Sequence, residues 1–101
     1  MLTINDINNI ECDEDVSELD YFRSLQRAIN SGTAWSFQGS YGRAMMEAIS
    51  AGYCLLGKTG ARDYWGNYIP SRDEVKEGTK GSIGFVESAM GGDWLFEMEN
   101  V

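Results

Sequence analysis

The chain has 101 residues, 16 Asp and Glu against 8 Lys and Arg, and no histidine, so its net charge is −8. That length means one domain, and a 43% hydrophobic content with five Tyr, four Phe and three Trp is too apolar for a disordered chain. The missing imidazole removes the commonest general base and metal ligand, the charge disfavours nucleic acid and anionic membranes, and the longest uncharged apolar run, Tyr53–Leu56, is far too short to cross a bilayer.

Residues 2–10 (LTINDINNI) read as a short strand or an extended arm. They lack the basic region and apolar stretch of a secretion signal, so a cytoplasmic protein with reduced Cys12 and Cys54 is expected. An acid run follows: Glu11, Asp13, Glu14, Asp15, Glu18 and Asp20 fall within ten positions that hold no base. The first clear helix spans Val16 to Ser31, capped by Asp15 or Ser17, with Glu18 and Asp20 near its positive end. Leu19, Phe22, Leu25, Ala28 and Ile29 form its apolar stripe, and Gly32 stops it.

Thr33–Phe37 has β character, with Trp35 and Phe37 on one side. Gly39 and Ser40 open a second helix that runs to Ala51 on an apolar face of Tyr41, Ala44, Met45, Ala48 and Ile49, and Gly52 ends it. Tyr53–Leu56 reads as a short buried strand and Gly57–Gly60 as a turn. Residues 61–81 look irregular, broken by Pro70, Gly66, Gly78 and Gly81, although Ser71 to Glu74 fits a capping box. Ser82 caps a third helix through Met90 that turns Ile83, Val86 and Met90 inward. Gly91-Gly92 breaks it, and Asp93 caps a final turn carrying Trp94, Leu95 and Met98. The expected fold is α+β: about three helices packed on a small antiparallel sheet or hairpin, in a single domain.

Four groups of residues carry chemistry worth weighing. Gly52 to Thr59 matches G-x-x-x-x-G-K-T letter for letter. A phosphate loop, however, needs a strand before it and a helix after it. Here a helix precedes, the variable positions are bulky, and glycine follows. The residual reading is a small-ligand or nucleotide site using the Gly57–Gly60 turn, Lys58, Thr59 and Arg62.

The acid run places Asp13, Asp15 and Ser17 at the first positions of a calcium loop, but Glu18 stands where glycine is required and Ser24 where glutamate is. Its plainest reading is a solvated cap on the first helix. Its functional reading is a contact surface that imitates nucleic acid and meets a basic partner. The segment Arg62 to Arg72 interleaves two arginines with Tyr64, Trp65 and Tyr68, a pattern that either closes the core or anchors a partner. Nucleic-acid binding there is disfavoured by Asp63, Asp73 and Glu74. Cys12 lies among carboxylates and Cys54 in an apolar run, and neither has a base to activate it, so no catalysis is expected. Two cysteines without histidine leave no closed zinc site. No metal or cofactor is expected.

The stretches AWSFQGSYGRAMMEAI, RDYWGNYIPSR and EGTKGS, between Ala34 and Ser82, resemble small accessory proteins of phages and prophages. The resemblance implies a setting: small acidic products of this kind block host enzymes or defence complexes, including CRISPR effectors, by direct binding. The expected function is therefore non-catalytic inhibition of a host or defence protein. Glu11, Asp13, Glu14, Asp15, Glu18 and Asp20 supply the charge, and Tyr64, Trp65 and Tyr68 supply apolar anchors. A homodimer is compatible with so aromatic a chain.

Overall fold

The computed structural model describes Asp6, Ile10, and residues 17–36 and 40–101. Its elements are α1 (Glu18–Ser31), a 3₁₀ turn (Thr33–Ser36), α2 (Ser40–Ala51), β1 (Ala61–Arg62), β2 (Tyr68–Ile69), α3 (Ile83–Met90) and α4 (Gly92–Glu99). The two strands form an antiparallel hairpin in which Ala61 faces Ile69 and Arg62 faces Tyr68. This is the small α+β domain expected from the sequence.

The helix boundaries follow local chemistry. Ser17 caps α1 by accepting a hydrogen bond from the Asp20 N–H at 3.1 Å, and Gly32 closes the helix at φ +74°. Ser82 caps α3 in the same way through the Phe85 N–H. Gly84 sits inside that helix, and its N–H donates to the Glu77 carboxylate. Helix α4 starts from Gly91, with Asp93 in its first turn and not at its cap.

The core gathers Leu25, Ala28 and Ile29 of α1, Met45, Ala48 and Ile49 of α2, Val86 of α3, and Leu95 and Met98 of α4. Each large aliphatic side chain buried this way stabilises the fold by roughly 1.5–3 kcal/mol. Beside it, Phe22 stacks on Tyr53 at 4.3 Å with nearly parallel rings, and Trp94 donates its indole N–H to the Tyr53 carbonyl at 2.8 Å.

Several expectations need correction. Thr33–Ser36 is a 3₁₀ turn and not a strand, a local closure that buries the neighbours Ala34 and Trp35 together. Phe37 lies outside the described residues. In Tyr53–Leu56, Tyr53 is half-buried and the other three are buried, but the segment pairs with no strand among the described residues. Asp6 and Ile10 are helical and not extended. Ser71 to Glu74 forms a turn, in which the Glu74 N–H donates to the Ser71 carbonyl while the Glu74 carboxylate serves Tyr68. Ile83 is partly exposed and not turned inward.

Candidate functional site

Of the acid run, Glu18 and Asp20 are exposed in the first turn of α1. Glu11, Asp13, Glu14 and Asp15, with Cys12, lie outside the described residues. A nearby acid behaves differently. Asp6 is buried, pairs with Arg27 at 2.7 Å and accepts the Ser24 hydroxyl at 3.0 Å. It anchors α1 and adds nothing to the surface charge, a role its neighbours in sequence do not signal.

The aromatic segment is the hairpin, and its loop is pinned from within. One Asp63 carboxylate oxygen accepts the Trp65 N–H at 3.0 Å and the Asn67 N–H at 2.9 Å, and the other accepts the Asn67 side-chain amide at 3.3 Å. Gly66 takes the left-handed turn position at φ +86° and donates its N–H to the Asp63 carbonyl. Arg62 reaches across to the Gly66 carbonyl at 2.9 Å and lies over the Tyr68 ring at 5.6 Å. The Tyr68 hydroxyl donates to the Glu74 carboxylate, 2.6 and 2.8 Å from its two oxygens, and this hydrogen bond pushes the phenol pKa up.

Fixed in this way, Tyr64 and Trp65 meet edge to face at 5.2 Å, and Trp65 is 75% exposed. Tyr64 and Trp65 turn toward α2 and line a common pocket. Tyr68 stands on the opposite hairpin face with Arg62. The structure therefore unites two of the three expected anchors and separates the third.

The pocket measures about 310 Å³ and lies between that loop and α2. Trp35, Met46, Ile69, Tyr64 and Trp65 give it an apolar lining, Gly42 leaves one side open, and Arg43 and Asp63 are its charged members. Sequence reasoning placed neither Gly42 nor Arg43 in a site. The hairpin left one readable signal, an aspartate three residues before Gly-Asn, which is turn chemistry.

The loop with nucleotide-binding letters is built differently from a phosphate cradle. The Tyr53 and Cys54 N–H groups both donate to the Ala48 carbonyl, the Leu55 N–H to the Gln26 side chain, and the Leu56 N–H to the Gly81 carbonyl. The N–H groups of residues 53–56 are therefore turned inward and not offered to an anion. A bend at Lys58 and Thr59, both exposed, leads into β1 and not into a helix. Arg62 is engaged in the hairpin. Arg72 binds the Leu56 carbonyl at 2.8 Å and Asn30 at 3.2 Å, and its burial lowers its pKa. Burial also pushes the Cys54 thiol up to about 12, which leaves it protonated and unreactive at neutral pH.

Among the described residues no cluster of acids and cysteines is placed to hold a metal, and no helix is long and apolar enough to cross a membrane. Compared with family models, curated proteins and solved structures, the chain finds no match.

Proposed function

We infer that this chain is a non-catalytic interaction protein that binds, and by binding inhibits, a protein with a basic surface. The observation that carries this reading is the pinned loop, which fixes the backbone beneath a 75%-exposed indole that meets its neighbour Tyr64 edge to face. Exposed aromatics on a loop whose backbone is ordered in advance make strong anchors, because little backbone entropy remains to be lost on docking. A net charge of −8 adds attraction at longer range, and Glu18 and Asp20, with the acids before them in sequence, contribute to it. The resemblance to phage accessory proteins makes a host or defence protein, such as a CRISPR effector in the cytoplasm of the host, the class of partner. The alternatives are less well supported: Arg62 and Arg72 are committed within the fold, and so are the N–H groups of residues 53–56.

The test is capture from nuclease-treated bacterial lysate on the immobilised full-length chain. Tyr64→Ala with Trp65→Ala should abolish capture of a discrete partner. Asp13, Asp15 and Glu18 changed together to Ala should slow its association several-fold at low salt and less at high salt. Phe96→Ala, which removes an exposed ring on α4, should change nothing. Capture that survives loss of both loop aromatics, or that nuclease removes, would contradict this reading.

A further inference from the structure

Five arginines are present: Arg27 binds Asp6, Arg62 binds Gly66 and lies over the Tyr68 ring, Arg72 binds Leu56 and Asn30, and Arg23 lies 3.9 Å from Glu97 in a partly exposed pair. The fifth, Arg43, is exposed on α2 and makes no hydrogen bond or ion pair among the described residues. It also lines the pocket of about 310 Å³. The acid in the same lining, Asp63, already receives three hydrogen bonds from its own loop. The pocket thus combines aromatic and thioether walls with one guanidinium whose donors are unspent.

Gly42 completes the picture. It occupies a helical position that alanine would favour, and a side chain grown from it would meet nothing within 4 Å. The space in front of it stays open.

We propose that this pocket binds an aromatic ring carrying a carboxylate a few bonds away. The ring packs against Trp35, Met46, Tyr64 and Trp65, and the carboxylate meets the Arg43 guanidinium. The volume lies at the small end of ligand sites and suits a single ring. A planar guanidinium matches a carboxylate with two parallel hydrogen bonds. A free aromatic acid and the C-terminal aromatic residue of a polypeptide offer this same chemistry. The proposal goes beyond the partner reading and does not depend on it, because it needs only the pocket.

The test is an NMR titration of the full-length protein at low salt with three probes that share a ring and differ in tail charge: phenylacetate, phenylacetamide and phenethylamine. The reporters are the Gly42 amide and the Trp65 indole N–H. Phenylacetate should bind about fivefold tighter than the amide, an advantage that salt erodes, and the amine should bind weakest. Arg43→Gln should bring phenylacetate to the level of phenylacetamide and leave the latter unchanged. Gly42→Leu should abolish binding of both, with thermal unfolding showing the fold intact. N-acetyl-Gly-Phe with a free carboxylate, compared with its C-terminal amide, separates the sources. Tighter binding of the peptide acid than of phenylacetate assigns a polypeptide end, and equal or weaker binding assigns a free acid. Equal affinity for the three tails, preference for the amine, no shifts with any probe, or binding that survives Gly42→Leu would overturn the proposal. Should Gly42→Leu fail to fold, the loss of charge preference in Arg43→Gln decides.

Discussion

Residues 53–57 and residues 61–69 lie a few positions apart and use similar letters, aromatic and apolar residues punctuated by glycine, yet the first segment is interior and the second is surface. The difference lies in where each finds partners for its backbone. The first segment satisfies its N–H and C=O groups only by reaching other elements: Gln26 pairs with both backbone groups of Leu55, Arg72 holds the Leu56 and Gly57 carbonyls, and Gly81 receives the Leu56 N–H. The hairpin closes its bonds within itself, through Asp63, Asn67, Gly66 and Arg62. A segment that depends on the rest of the fold is drawn inward, and its side chains become core. A segment that is self-sufficient can face solvent, and its side chains are available for contact.

The most severe way to break this contrast is Gln26→Ala. It strands a buried donor and a buried acceptor on Leu55, and about 3 kcal/mol should be lost. A fall in melting temperature on the order of 15 °C would register it. Next comes Gly81→Ala: the residue sits at φ +89°, and a Cβ would approach Leu56 Cγ to 2.5 Å. About 2 kcal/mol should go, read by urea denaturation.

Cys54 sharpens the contrast through pH. Its thiol titrates near 12 in the folded state against 9.0 for an ordinary thiol. The folded state therefore holds the proton more tightly. Its contribution is fully present below pH 9 and is lost as pH rises from 9 toward 12. In a Cys12→Ser background, a thiol reagent at pH 8 should leave Cys54 unmodified until urea unfolds the chain. The smallest effect belongs to the hairpin: Trp65→Ala should change stability by no more than about 0.5 kcal/mol, although it removes the proposed anchor.

The comparison also explains how much could be read from the sequence. The helices were legible because their signals are local: Ser17, Gly32, Gly52 and Ser82 sit where capping chemistry requires them. The strand expected at Tyr53–Leu56 was a sound reading of burial and a wrong reading of partner. Its pairing group is the side chain of Gln26, 29 positions upstream of Leu55, and no periodicity reports that. Asp6 was likewise invisible as a buried ion pair, since only the fold brings Arg27 to it.

At the site, the aromatic letters of the hairpin were conspicuous. Their division was not. Tyr64 and Trp65, in the loop, line the pocket beside α2, while the two-residue ladder puts Tyr68 with Arg62 on the face opposite Ala61 and Ile69, where it reaches Glu74. Arg43 could not be singled out from sequence, because its distinction, that it makes no hydrogen bond or ion pair among the described residues, exists only in the fold.

The most direct test of the central claim, that this molecule acts through its hairpin–α2 face, is the dissociation rate of the captured partner from Trp65→Ala measured at two salt concentrations. Dissociation should quicken at least tenfold, with the salt dependence of association left as in the parent chain. A dissociation rate equal to that of the parent chain would contradict the claim and move the contact to another surface.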